Sequence, residues 1–345
     1  MKLIERIEQL SKIGATENGI CRLTDSVEDI RGKSLIMQWM LEDGLSVSKD
    51  IYGNIRGTLP GYGPPIVTGS HTDTVATAGK YDGALGVLAG IEAARELKGK
   101  LKHPLEVVIF YDEENTMSGS IGYCSKKPEI KAFIELHVEQ GPVLDHQGVD
   151  IGIVEGIVGQ RRCSVKIFGQ ENHAGTTPMN MRDDALVKTS QIITYVNEKA
   201  LTYNGLVATV GVLNVYPNAF SVVPGRVDFT LQIRDLDSDR MEKFVEDVSK
   251  EFNFKYEIQH KSEPSLCDSW VKDCISRASS KFGLKSISMP SRASHDSQNF
   301  TFCPMGMIFV PSIGGISHSP KERTTDEMCH NGVKVLIETI KNLDK

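Results

Sequence analysis

Apolar residues along this chain recur with two periods, and the changes between them mark out its elements. At the start, Leu3, Ile4, Ile7 and Leu10 repeat at helical spacing between charged residues. That pattern predicts an amphipathic helix over residues 1–10, without the apolar core and small-residue cleavage site of a signal peptide. Pro65-Ile66-Val67-Thr68-Gly69-Ser70 reads as a short buried strand ending near a glycine, and residues 83–97 as a helix with alanines and leucines on one face. Leu105-Glu106-Val107-Val108-Ile109-Phe110-Tyr111 is a β-branched and aromatic run, hence a second strand. Strands alternating with helices predict an α/β domain with a mostly parallel sheet flanked by helices. Sites in such sheets lie at the carboxyl ends of the strands.

From about Val154 the texture changes. Residues 161–168, 206–215, 227–234 and 254–260 read as strands, and 184–199 and 238–252 as helices. That order is β-α-β-β-α-β, the ferredoxin-like split arrangement. Residues 154–264 are therefore expected to form an inserted second domain, with Pro264 near the point of return. Residues 1–153 and 265–345 would form the main domain, the last stretch adding helix, strand and helix to the first sheet. A length of 345 residues suits two domains.

Composition narrows the function classes. The formal net charge of -6, with no basic run, argues against nucleic acid as a partner. No stretch of about 18 apolar residues is present, so no membrane span is expected. The 7 cysteines are scattered and form no CxxC pair, which points away from a disulfide scaffold or a cysteine zinc site and towards a reducing cytoplasm.

Candidate chemistry collects at predicted strand ends. His71-Thr72-Asp73 follows the first strand, and an aspartate two residues from a histidine can fix the tautomer that a metal ligand needs; a histidine closing a strand end is the plainer alternative. Asp82 opens the alanine-rich helix, either as an ordinary cap or as a carboxylate bridging two metals. Asp112-Glu113-Glu114 ends the second strand. Three adjacent carboxylates repel unless a cation neutralises them, although a solvated acidic loop would also accommodate them. If a metal is present, one glutamate can bind it while the other takes a proton from water. In Ile134-Glu135-Leu136-His137-Val138-Glu139, strand alternation places Glu135, His137 and Glu139 on one face. His318 follows the apolar run 307–310 and a turn-prone Pro-Ser-Ile-Gly-Gly. Imidazole and oxygen donors suit zinc, manganese, cobalt or nickel.

Several longer runs carry a resemblance. Gly69-Ser70-His71-Thr72-Asp73-Thr74-Val75, Tyr81-Asp82-Gly83-Ala84-Leu85-Gly86, Glu135-Leu136-His137-Val138-Glu139-Gln140-Gly141-Pro142, Asn172-His173-Ala174-Gly175-Thr176-Thr177-Pro178 and Gly315-Ile316-Ser317-His318-Ser319-Pro320 are similar to the hydantoinase/carbamoylase amidohydrolases. That family includes N-carbamoyl-L-amino acid hydrolases, β-ureidopropionases and allantoate amidohydrolases, within the dinuclear-metal aminoacylase and carboxypeptidase clan. The resemblance implies two divalent metals, Zn or Mn first and Co or Ni as alternatives. His71, Asp82 and His137 match ligands of one ion; Asp82, Glu114 and His318 match those of the other, with Asp82 bridging. Glu113 matches the general base and Asp73 the partner of His71. His173 matches a group that polarises the substrate carbonyl, and Arg234 the arginine that clamps its carboxylate. From the residues alone, an ion pair between Arg234 and Asp235 is the competing role. Gln140, Ser221, Gly314 and Gly315 fall at substrate-contact positions. The implied function is hydrolysis of the C–N bond of a ureido group on a small carboxylate, N-carbamoyl-L-amino acid or allantoate. A cytoplasmic homodimer through the inserted lid domain is implied as well, with domain closure completing the site.

Three departures from the family pattern fall on substrate selection. Only a short segment separates Glu114 from His137, Ser221 replaces a usual asparagine, and Arg292 and Ser294 replace two glycines in Ser291-Arg292-Ala293-Ser294-His295-Asp296. The competing readings are an aminoacylase or dipeptidase/carboxypeptidase of the same clan, and a non-catalytic binding protein that kept the fold. The second predicts a lost ligand or base, and every such position is filled.

Overall fold

The computed structural model describes residues 2–345. It divides into two compact units, one containing the chain up to Ile157 together with Leu266–Lys345, the other Val158–Ser265.

The first unit is built on a nine-stranded sheet. Its centre is four parallel strands, Met305–Val310, Ala132–Val138, Ile66–His71 and Leu105–Phe110, in that spatial order. Every residue of these strands is buried. Continuous apolar runs are what strands covered on both faces require. On one face pack the helices Ala84–Leu97, Asp326–Leu343 and Leu3–Ser11. On the other lies a cluster around Phe110, Phe133 and Phe300, where the last two rings stack at 3.8 Å. Helix starts are capped where the sequence offers an oxygen: Ser26 accepts from Asp29 N, Asp268 from Trp270 N and Thr325 from Met328 N.

The sheet is parallel only at its core. Ile55–Leu59 pairs antiparallel with Leu105–Phe110 and carries Ser46–Lys49 beyond it, while Ile151–Ile157 runs antiparallel to Met305–Val310. This last strand belongs to the main sheet, so the second unit starts at Val158 rather than at 154. The expected N-terminal helix is present as Leu3–Ser11; Met1 lies outside the described residues.

The second unit has the order strand Gly159–Phe168, helix Ala185–Leu201, strands Val207–Tyr216 and Arg226–Asp235, helix Ser238–Glu251 and strand Tyr256–Ser262. Its four strands are antiparallel, with Arg226–Asp235 and Gly159–Phe168 in the centre. Both central strands alternate buried and less buried positions, so one face carries the core beneath the two helices. Val207–Tyr216 is an edge strand, largely exposed. A small ribbon pairs Asn172–His173 with Val222–Val223. Among the described residues no helix is long and apolar enough to cross a membrane.

Candidate metal centre

The first unit brings its histidines and acids together at the carboxyl ends of the central strands. His71 closes Ile66–His71, and the chain beyond it is held by buried Arg22, whose Nε donates to the Thr72 carbonyl at 3.0 Å. Burial lowers the Arg22 guanidinium to about 10, against the pull of Asp29 and Asp73. His137 sits one residue from the end of Ala132–Val138. Asp82 precedes the helix Ala84–Leu97, and Gly83 between them has φ +62. A Cβ at Gly83 would stand 2.5 Å from the His71 ring, so only glycine lets the helix start this close to the imidazole. Glu113 and Glu114 follow Leu105–Phe110 through a turn in which Asp112 has φ 60 and accepts from Asn115 Nδ2 at 2.8 Å. His318, with φ 51, lies in the loop beyond the short helical turn Ile313–Gly315.

Two sets of ligand atoms result. His71, Asp82 and His137 form one and Asp82, Glu114 and His318 the other; within each set the atoms lie within 4.8 Å of one another. Asp82 splits its oxygens between them. Oδ1 is 3.2 Å from His137 Nε2 and 3.7 Å from His71 Nε2, and Oδ2 is 3.2 Å from His318 Nε2. Glu114 Oε2 is 3.8 Å from the same His318 nitrogen. The ring orientations suit ligation: His71 Nδ1 donates to the Asp73 carbonyl at 3.0 Å and His137 Nδ1 to the Val138 carbonyl at 2.8 Å, so each ring turns Nε2 inward, the atom that would ligate a metal once it carries no proton. Glu114 Oε1 is buried with no hydrogen-bond partner among the described residues. Mixed imidazole and carboxylate donors converging with a spare oxygen fit a pair of divalent cations.

The charges are closely linked. Burial opposes the Asp82 charge, yet hydrogen bonds from His137 and His318 hold its carboxyl well below the usual range. Burial disfavours a charged His71, but Glu113, Asp73 and Asp82 raise it well above 6.5. Its Nε2 is 3.6 Å from Glu113 Oε2. Glu113 itself is pushed well up by burial; His71 pulls it back, and Asp296, Glu114 and Glu135 add to the rise. A carboxyl with an elevated pKa, not a member of either ligand set, is suited to moving a proton.

Some expected roles fall elsewhere. Of the acid–imidazole–acid face, only His137 joins a ligand set. Glu135 is fully buried and accepts from Ser70 Oγ at 2.7 Å and Ser297 N at 3.1 Å. Glu139 caps the helix Val143–Gln147 by accepting from Val143 N and Leu144 N, each at 2.8 Å. Strand alternation cannot assign these jobs because this strand is buried on both faces. Asp73 orients His71 through its main-chain oxygen; its carboxylate is 3.8 Å from the ring and accepts instead from Glu114 N and Thr24 Oγ1, both at 3.2 Å. Gln140, with φ 59, donates from Nε2 to Asp82 Oδ2 at 2.8 Å and to Ser317 Oγ at 3.2 Å. Gly314 donates to Asp145 Oδ2 at 2.8 Å, and both Gly314 and Gly315 have positive φ. His295 and Asp296 are buried, whereas Arg292 and Ser294 are exposed.

The second unit holds the other three. His173 is exposed, and its Nδ1 accepts from Gly175 N at 3.0 Å and Thr176 N at 3.2 Å, so in the neutral ring Nε2 carries the proton. Arg234 projects from Arg226–Asp235. With the Gln232 amide oxygen turned toward it, its Nε and Nη2 donate at 3.0 and 2.9 Å. Burial and neighbouring Arg162 lower its pKa. Asp235 takes Arg240, whose Nε is 2.6 Å from Oδ2. Ser221 is exposed, and its carbonyl accepts from Ala174 N at 2.8 Å.

The sequence signature of the peptidase family M20/M25/M40 matches residues 67–342, a span that includes every ligand position. The chain belongs to this family. It is metal-dependent, in keeping with the two ligand sets. Within it the chain is of the hydantoinase/carbamoylase type. It is 36% identical to an N-carbamoyl-L-amino acid amidohydrolase of Geobacillus stearothermophilus, covering 98% of this chain and 97% of that protein. An allantoate amidohydrolase of Bacillus subtilis is 33% identical, covering 99% and 97%. A hydantoinase/carbamoylase amidase of Burkholderia multivorans superposes with a TM-score of 0.89 at 31% identity, covering 100% and 98%. The Geobacillus alignment spans 397 positions against 345 residues here, so gaps fall in this chain.

Proposed function

We propose that this enzyme hydrolyses the C–N bond of a ureido group on a small carboxylate, an N-carbamoyl-L-amino acid or allantoate, using two divalent ions. The observation that carries this reading is the pair of ligand sets sharing Asp82, with Glu113 held beside His71 outside both sets. His71, Asp82 and His137 would hold one ion, and Asp82, Glu114 and His318 the other. When bound, the ions supply Lewis acidity that makes water a nucleophile at neutral pH. Glu113 takes the proton from that water and returns it to the leaving nitrogen, a role that its place beside His71 and outside both ligand sets supports. His173 donates from Nε2 to the carbonyl oxygen, and Arg234 pairs with the substrate carboxylate through its planar fork. Gln140, Ser221, Gly314 and Gly315 are assigned to substrate contacts.

The relatives named as ureide hydrolases support this substrate class over peptides. A homodimer through the inserted unit is supported by the outermost strand Val207–Tyr216, which exposes Val212, Leu213 and Tyr216. Seven free cysteines support a reducing cytoplasm.

The test is ammonia release from N-carbamoyl-L-amino acids and allantoate, beside cleavage of N-acyl amino acids and dipeptides. Each is run with manganese, zinc, cobalt and nickel. Ureide turnover is expected; peptide cleavage without it would sink this reading in favour of a peptidase of the same family.

A further inference from the structure

The sequence motifs assign Glu322 no role of its own, yet it is 6% exposed and bonds to the Asp82 loop. Its Oε1 accepts the main-chain N–H of Tyr81 at 2.8 Å and of Asp82 at 3.1 Å. Its Oε2 lies 3.4 Å from Ser317 Oγ, and that hydroxyl lies 3.4 Å from Asp82 Oδ2. Its own N–H donates to the Ser319 carbonyl at 3.0 Å, closing the turn just after His318. One carboxylate thus fastens the loop that presents Asp82 to the loop that presents His318.

The approach is tight. A Cβ on Gly79 would stand 2.4 Å from Glu322 Cβ and 2.6 Å from Oε1, so the Asp82 loop accepts this side chain only because residue 79 has none. Placing a buried carboxylate beside Asp82 is electrostatically costly, which makes a purely space-filling role a poor account of it.

We propose that Glu322 is a positioning residue for the metal centre. By fixing the main chain at Tyr81 and Asp82 it sets where the two Asp82 oxygens point, so both ions bind through its geometry. The proposal rests on the metal-centre reading above. Outer hydrogen-bond partners of metal ligands are typically worth about 10–100-fold in affinity.

The experiment is calorimetric titration of Mn2+ into the metal-free full chain, with hydrogen exchange followed at the Tyr81 and Asp82 amides. Glu322→Ala should weaken Mn2+ binding by about 10–100-fold and speed exchange at those two amides selectively. Glu322→Gln, whose amide oxygen can still accept both N–H bonds, should stay close to the unaltered protein. Gly79→Ala, which leaves every carboxylate in place but displaces Glu322, should reproduce the alanine defect and serves if Glu322→Ala does not fold.

Unchanged Mn2+ affinity in Glu322→Ala would overturn the proposal. So would an equal loss in Glu322→Gln, which would assign the effect to charge, or unchanged exchange at the two amides. An unaltered protein that binds no Mn2+, Zn2+, Co2+ or Ni2+ would instead overturn the metal-centre reading, while the amide exchange would still decide the role of Glu322.

Discussion

The two ligand sets share Asp82 and differ in almost everything else. His71 and His137 stand on neighbouring parallel strands, and their side chains are 2% and 1% exposed. In the other set His318 stands on a loop, in a left-handed backbone conformation, with a side chain 49% exposed. The first set is thus positioned by the sheet and the second by a loop that must be held. A dry, sheet-mounted site resists reorganisation, whereas a half-exposed loop ligand exchanges with solvent and costs more to order. The inner site is therefore expected to retain its ion longer, and the outer one to set metal preference and exchange.

Replacing the shared ligand should erase the distinction. Asp82→Ala is expected to lose both ions, measured by elemental analysis after loading, together with all turnover above background. Retention of one tightly bound ion would show that the two sites do not depend on a common bridge.

Glu113→Gln should separate chemistry from binding. Turnover is expected to fall by about 10²–10⁴-fold, with metal content unchanged at both sites. A lost ion in that variant would move Glu113 from proton carrier to ligand.

The sharpest comparison is His137→Ala against His318→Ala. The first leaves a hole beside Asp82 in a buried site and should lower the melting temperature of the metal-free protein, by several degrees for a few kcal/mol. The second should lose only the outer ion and, above about pH 9 where the His318 ring is neutral, leave that temperature nearly unchanged. Staged chelation of the unaltered protein should likewise remove one ion well before the other. Equal melting shifts or simultaneous release would contradict the inner–outer ranking.

The smallest expected effect is a pH slope. In the metal-free protein, the hydrogen bond to Asp82 outweighs burial and pushes His318 up to about 9 from 6.5. A raised histidine contributes stability that is full below 6.5 and lost as pH rises through about 9. The melting temperature of metal-free His318→Ala should therefore fall less steeply across that window than that of the unaltered protein. Parallel pH profiles would show that the ring is solvated rather than held.

How legible this was in the sequence follows the same division. The buried parallel strands were readable because an unbroken run such as Leu105-Glu106-Val107-Val108-Ile109-Phe110 has few other uses. The ferredoxin-like insert was readable because its central strands alternate. The antiparallel strands Ser46–Lys49 and Ile55–Leu59 were missed, being short, partly polar and interrupted by Gly57. The gathering of His71, Asp82, Glu114, His137 and His318 was legible because each lies near a predicted strand end or helix start. The jobs of Glu135, Glu139 and Glu322 were not. Their partners are main-chain amides and hydroxyls several or hundreds of residues away, and no spacing in the sequence records them. Asp235 shows the same limit, since it pairs with Arg240 five residues further on.

The order of these ligands along the chain also has a bearing on how the enzyme is made. Residues 71, 82, 114 and 137 all emerge from the ribosome before the insert is synthesised, and His318 long after it. The strand carrying His137 gains its second parallel neighbour, Met305–Val310, only at that late stage. The second ligand set is gathered only when early and late segments of the chain have met, so a nascent chain stalled in the insert can assemble His71, Asp82 and His137 but not the set that needs His318.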